Sequence, residues 1–340
     1  MKKMISVLTM LAVLFTSSFM VSAVTEVLPN ETEVSCQYID SIKESTLEIE
    51  QYTKGLNEVT SVNNIGALKT SLKKDYPNLN DYQLGKAILL ALGDDESFIE
   101  ELPTEKVMEA TEYISAEISV SYLVEGTEGE LIPVSKSIFE SDSSYDYSQC
   151  DTASDDLPDY TETHGKLKIR SSAYKRNPGY ALEGRTYYEI RGEVEWTSTP
   201  NYTYTDVLVI SSTGNIDNKY DHYAYGRWYY SLAGGDWMHK TSHLYESFGG
   251  KDADMEISTP STYGIGATFP LICDRSYTIK KAYIYYGVSC QQDITCQVAY
   301  GHAKPMWNPS FSVSTSGAIS FGGPTISRQT FYGTAFTLYH

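Results

Sequence analysis

Positive charge is scarce in this sequence. Its 340 residues hold 26 Lys and Arg against 44 Asp and Glu, a formal net charge of −18. No basic stripe is present to follow a phosphate backbone, which excludes nucleic acid as a partner. Histidine is scarce at 6 residues, and so is cysteine at 5, an odd number that leaves at least one thiol unpaired within the chain. Long apolar runs are missing too. Beyond the first residues nothing approaches the ~20 apolar positions of a spanning helix, so no transmembrane segment is expected. No Gly-x-Ser-x-Gly turn marks a nucleophile and no HExxH pair marks a zinc hydrolase, and no catalytic residue is assigned.

What is present begins with export. The opening MKKMISVLTMLAVLFTSSFMVSA has a basic start at Lys2 and Lys3 and an apolar run from Ile5 to Phe15. A small-residue site ends it at Ala23, the pattern of a signal peptide cleaved there (residues 1–23). A secreted, extracellular protein is expected, in a compartment where disulfides are permitted. Cys290 and Cys296 flank QQDIT between two strand-like runs, and a hairpin there predicts a disulfide between them.

Charge then divides the chain. From Val24 to Tyr160 there are 29 acidic and 8 basic residues, and from Thr161 to His340 there are 15 and 16. Residues 24–141 read as an acidic, mainly helical domain with a possible β-hairpin. Ile39, Ile42, Ile49, Tyr52 and Leu56 recur at helical steps, which predicts one helix through that stretch. NDYQLGKAILLALGDD predicts another, capped at Asn80 or Asp81 and stopped at Gly93. Residues 142–162, acidic and rich in Ser and Asp, read as a linker. Residues 163–340 carry many short alternating runs such as YYEIRGEVEW and DVLVI, separated by turn residues. The expected fold is α+β, the helical region followed by a mostly antiparallel β-sandwich or small barrel.

The segments YEIRGEVEWTSTPNYTYTDVLVIS, KKAYIYYGV and AYGHAKPMWNPSFSVSTSGAISFGGPTIS resemble the C-terminal half of an uncharacterised group of exported proteins from Gram-positive bacteria. GDDESFIEELPTEKV resembles a segment of their short helical N-terminal region. The resemblance implies export and a two-part layout, and brings no activity or functional residue with it.

Several side-chain groups invite chemistry. His239 and His243, four apart, share a face if helical, with Glu246 a turn further on, a set that can hold zinc. Lys240 occupies the place of the general-base glutamate. Asp252, Asp254 and Glu256 share one face of an extended segment and could bind calcium through carboxylate oxygens, although no EF-hand loop surrounds them. Otherwise no cofactor is expected. Of 29 tyrosines, 21 fall from Tyr160 onward with all four tryptophans. Tyr223, Tyr225, Trp228, Tyr230 and Trp237 are candidates for stacking on a surface glycan or protein; strand propensity alone also enriches tyrosine.

SFSVSTSGAISF, Ser310 to Phe321, alternates without a break. It is either one long strand or a hairpin. A hairpin favours a three-residue loop, Thr315-Ser316-Gly317, pairing Val313 with Ile319 and Phe311 with Phe321. Both geometries leave one apolar and one serine face. The leading expectation is a secreted, non-enzymatic protein binding a glycan or protein through its aromatic β domain. The alternatives are a pore-forming or membrane-damaging toxin and a metal-dependent hydrolase.

Overall fold

The computed structural model describes residues 34–126, 131–141, 165–179, 181–198, 200, 205–213, 223–232, 237–245, 250–252, 255–261, 263–270, 277–303, 310–322 and 328–340. The sequence signals for helix stops and starts act where expected in α3 (Asp81–Ala91). The Asn80 side chain accepts from Gln83 N while the Gln83 side chain accepts from Asn80 N, a reciprocal capping box. Gly93, at φ +84°, turns the chain out of the helix. α1 (Cys36–Thr46), α2 (Ile65–Asp75), α4 (Glu96–Glu101) and α5 (Thr104–Glu109) complete a helical layer.

The first helix is shorter than its apolar spacing predicts. Ser45 and Thr46 hydroxyls both donate to Ile42 O, competing with the last helical turn. Leu47 is extended, and β1 (Glu48–Lys54) folds back on β2 (Asn57–Asn63) through a two-residue turn with Gly55 at φ +66°. Ile49, Tyr52 and Leu56, expected on a buried helical face, are exposed instead.

Two antiparallel sheets pack face to face. The first runs β1-β2-β3-β5-β6-β13-β8-β9, where β3 is Tyr113–Glu125, β5 Lys166–Arg176, β6 Thr186–Trp196, β13 Tyr277–Cys290, β8 Tyr223–Leu232 and β9 Trp237–Tyr245. β4 (Leu131–Val134) also pairs with β3 and carries α6 (Lys136–Glu140) behind it. The second runs β10-β11-β12-β7-β14-β17, with β10 Gly250–Asp252, β11 Met255–Ser261, β12 Gly264–Pro270, β7 Thr205–Ser212, β14 Ile294–Ala303 and β17 Arg328–Leu338. The protein is therefore α+β with antiparallel sheets.

One core lies between the sheets. Ile190, Val194 and Ile284 of the first meet Leu208, Ile210, Ile265, Val298 and Phe336 of the second. A second core lies on the other face of the first sheet, where Leu68, Leu84, Ile88 and Phe98 cover Tyr174, Tyr283 and Tyr285. The large β3–β5 register, Tyr113↔Arg176 through Val124↔Lys166, carries one sheet across the division that charge composition suggests. The acidic 142–162 stretch lies outside the described residues.

An ionic seam fastens helices to sheet. The turn after α3 delivers the Asp94 carboxylate to Arg170 and Arg191, with Arg191 Nη1 at 3.0 Å. Arg170 Nη2 also donates to Leu92 O at 3.2 Å. Arg191 lies over the Tyr174 ring and donates to Glu189, which also accepts from Tyr113. Burial opposes the Asp94 charge, but the two guanidiniums overcome it and hold the carboxyl below its ordinary range.

Candidate functional site

The serine ribbon is a hairpin, β15 (Ser310–Val313) and β16 (Ile319–Gly322). Its register is Phe311↔Phe321, Ser312↔Ser320 and Val313↔Ile319, the pairing that the three-residue loop predicts. Ser314 N donates to Ala318 O and Gly317 N to Ser314 O, both at 2.9 Å, and Gly317 takes φ +75°. Burial follows sequence parity. Val313, Ile319 and Phe321 are buried, Phe311 is half-buried, and Ser312, Ser314, Ser316 and Ser320 face solvent.

Among the described residues β15 and β16 form a two-stranded sheet of their own. Side-chain packing seats the hairpin on Val207, Val209 and Ala299, the outer face of the second sheet, beside Tyr263. Glycines prepare that seat. A methyl added at Gly266 would lie 2.4 Å from Phe311 Cζ, and its nearest neighbours are all atoms of that ring. At Gly264 it would meet Val313 Cγ2 at 2.7 Å, and at Gly301 Phe321 Cε1 at 3.1 Å. Glycine inside a strand marks a close approach, and the glycines of YGIGATF and AYGHA are its trace in the sequence.

Near the root of the hairpin, inside the sandwich, sits a polar group that sequence reasoning did not isolate. His302 Nδ1 is 3.0 Å from Asp206 Oδ1, and its Nε2 is 3.5 Å from Glu125 Oε1. Tyr300 donates to the other Asp206 oxygen and accepts from Trp196 Nε1 at 3.0 Å. His302, Asp206 and Glu125 are fully buried. Burial pushes the imidazolium down, but Asp206 and Glu125 overcome it and raise its pKa to about 9. The cluster is a buried ion group, with the Asp206 and Glu125 carboxylates on either side of the imidazole.

The sequence candidates fare unequally. Cys290 and Cys296 are separate, buried thiols, because β13 and β14 belong to opposite sheets and do not form the expected hairpin. Burial drives the Cys296 thiol up to about 12. His239 and His243 lie on strand β9, where four residues span ~13 Å, rather than on a helix. Asp252 ends β10, and Glu246 and Asp254 fall outside the described residues. Among the described residues no cluster of three His, Cys, Asp or Glu is arranged to hold a metal ion.

On β8, Tyr225 stands opposite Tyr285 of β13, whereas Trp228 stands opposite Ala282 and Tyr230 opposite Lys280. Tyr223 pairs with Tyr245 and Trp237 with Ser231 across β8 and β9. Tyr174, Tyr187, Tyr188, Tyr283, Tyr285, Tyr286 and Tyr300 are all buried, so these tyrosines build the sheets. A cleft among the described residues, lined by Gly93, Phe98, Lys168, Glu195 and Lys281, measures about 30 Å³, the scale of a water rather than a ligand.

The chain matches no family model and no curated protein. Clostridium perfringens delta-toxin aligns at a TM-score of 0.24 and 7% identity, over 66% of this chain and 90% of that one. The Clostridium perfringens NetB toxin in its membrane-inserted form aligns at 0.22 and 7%, over 50% and 93%. At those scores neither fold nor function carries over.

Proposed function

We propose that this is an exported, non-enzymatic, membrane-active protein whose Ser310–Gly322 hairpin leaves its seat and buries its apolar face in a lipid bilayer. The observation that carries the reading is the hairpin's attachment: amphipathic by strict parity, paired as a two-stranded ladder of its own among the described residues, and packed on a glycine-lined strip. Phe311, Val313, Ile319 and Phe321 exchange one apolar surrounding for another on transfer to lipid. Each buried Val, Ile or Phe keeps its ~1.5–3 kcal/mol of water avoidance either way. The buried strip of Val207, Val209 and Ala299, which departure of the hairpin would uncover to water, is what opposes release.

Length sets the depth. Four residues per arm reach ~13 Å at ~3.3 Å each, under half of the ~30 Å hydrocarbon core. Pro309 and Pro324 lack the N–H that would continue the ladder, so the ribbon enters one leaflet. The net charge of −18 favours zwitterionic over anionic lipid.

Flotation and dye release with phosphatidylcholine vesicles test this. The purified chain is expected to float with the vesicles and release dye, less so when phosphatidylserine is included. Phe321→Ser should abolish both. Gly266→Ala, which displaces Phe311, should speed release. Absence of flotation across acidic and neutral pH, or equal activity in all three proteins, would overturn the reading.

A further inference from the structure

β1 is an edge strand with every residue exposed, Ile49 and Tyr52 included, and among the described residues only β2 pairs with it. An edge of seven unpaired residues is a template for another strand, and natural proteins blunt such edges by proline, bulge or cover. Proline and bulge are absent between Glu48 and Lys54, and the edge is guarded instead by the charges of Glu48, Glu50 and Lys54, which repel most partners and admit one of matching charge.

The turn defines which main-chain groups are available. Lys54 and Asn57 close a two-residue loop, and the closing pair of such a hairpin exchanges both hydrogen bonds. By alternation Glu48, Glu50, Tyr52 and Lys54 spend their main-chain groups on β2. Ile49, Gln51 and Thr53 direct theirs outward.

We propose that the free edge of β1 pairs with β1 of a second copy of this chain, antiparallel, about a twofold axis at Gln51. That register sets Ile49 against Thr53 and Gln51 against Gln51, so outward groups meet outward groups. It also sets Glu48 of each copy against Lys54 of the other, and Glu50 against Tyr52. Shifting the axis to Glu50 puts Glu50 against Glu50 and removes the Glu48–Lys54 match; shifting it to Tyr52 shortens the overlap. Charge therefore favours a second copy in this register, with Lys54 Nζ, 3.4 Å from Ala335 O in the single chain, turning to Glu48 of the other. A twofold contact of this kind closes on itself, giving a dimer rather than a fibre. The first sheets of the two copies become one. This inference rests on β1 alone and is independent of the membrane reading.

Sedimentation of the purified chain over a wide concentration range reads the outcome, with a melting curve as the folding control. The native chain is expected to reach twice its own mass. Lys54→Glu, which makes both end pairs repulsive, should weaken dimerisation at least about tenfold. Glu48→Lys combined with Lys54→Glu reverses each pair and should restore the dimer. Gln51→Pro removes an outward N–H that β2 does not use, and should leave a folded monomer. A native chain that stays monomeric overturns the proposal, as does a dimer indifferent to Lys54→Glu or unrescued by the double swap.

Discussion

Asp94 sits in the GDDESFIEELPTEKV segment, where adjacent acids look like a solvated helix start. Its neighbour Asp95 is that, while Asp94 is buried between Arg170 and Arg191. Removing one partner of a buried ion pair leaves the others uncompensated, a loss of about 3–5 kcal/mol. Asp94→Asn is expected to lose that much in urea unfolding. Because the folded carboxyl titrates below the unfolded one, its contribution is present above pH ~4 and disappears as pH falls further. His302 has the opposite sign. Its folded pKa of about 9 lies above the unfolded value, so its stabilisation is full below pH ~6.5 and is lost as pH rises through about 9. Urea midpoints at pH 6 and pH 9.5 should differ in the native chain, and the difference should shrink in His302→Gln. Neither role was legible beforehand. A lone acid or histidine acquires its partners from strands distant in sequence: Asp94 from β5 and β6, His302 from β3 and β7.

At the scale of elements, parity and turn chemistry spoke clearly and spacing alone misled. The serine hairpin's register followed from two facts in the sequence, the alternation and Gly317. Any L-residue at φ +75° costs about 1–2 kcal/mol, and here a Cβ would also lie 3.1 Å from the Ser212 main chain. Gly317→Ala should therefore loosen the hairpin, seen as faster amide exchange at Val313 and Ile319 with the two large sheets unchanged. By contrast, Ile39, Ile42, Ile49, Tyr52 and Leu56 satisfied a helical spacing that the chain uses only as far as Thr46. The same period fits a helix followed by a strand pair when the strand is exposed on both faces. The Cys290–Cys296 hairpin failed for another reason: two strands joined by a short loop can belong to facing sheets, and local sequence does not say which.

For the whole molecule, composition located the acidic half and the fold class but not how the halves are joined. The −18 charge acts on the native state through exposed acids, whereas the Asp94 group is shielded from solvent. Raising ionic strength should raise the melting temperature by relieving surface repulsion, and Asp94→Asn should show the same salt increment as the native chain.

The β3–β5 ladder has a consequence for processing. A protease that cut the chain between residues 142 and 162 would produce two polypeptides on a denaturing gel. In native solution they would remain a single particle, knit by eleven strand pairings and the Asp94 salt bridges. Cleavage in that acidic stretch would remove a covalent tether without releasing a domain. Maturation by nicking, if sought, must be read by mass spectrometry of the subunits and not by elution volume.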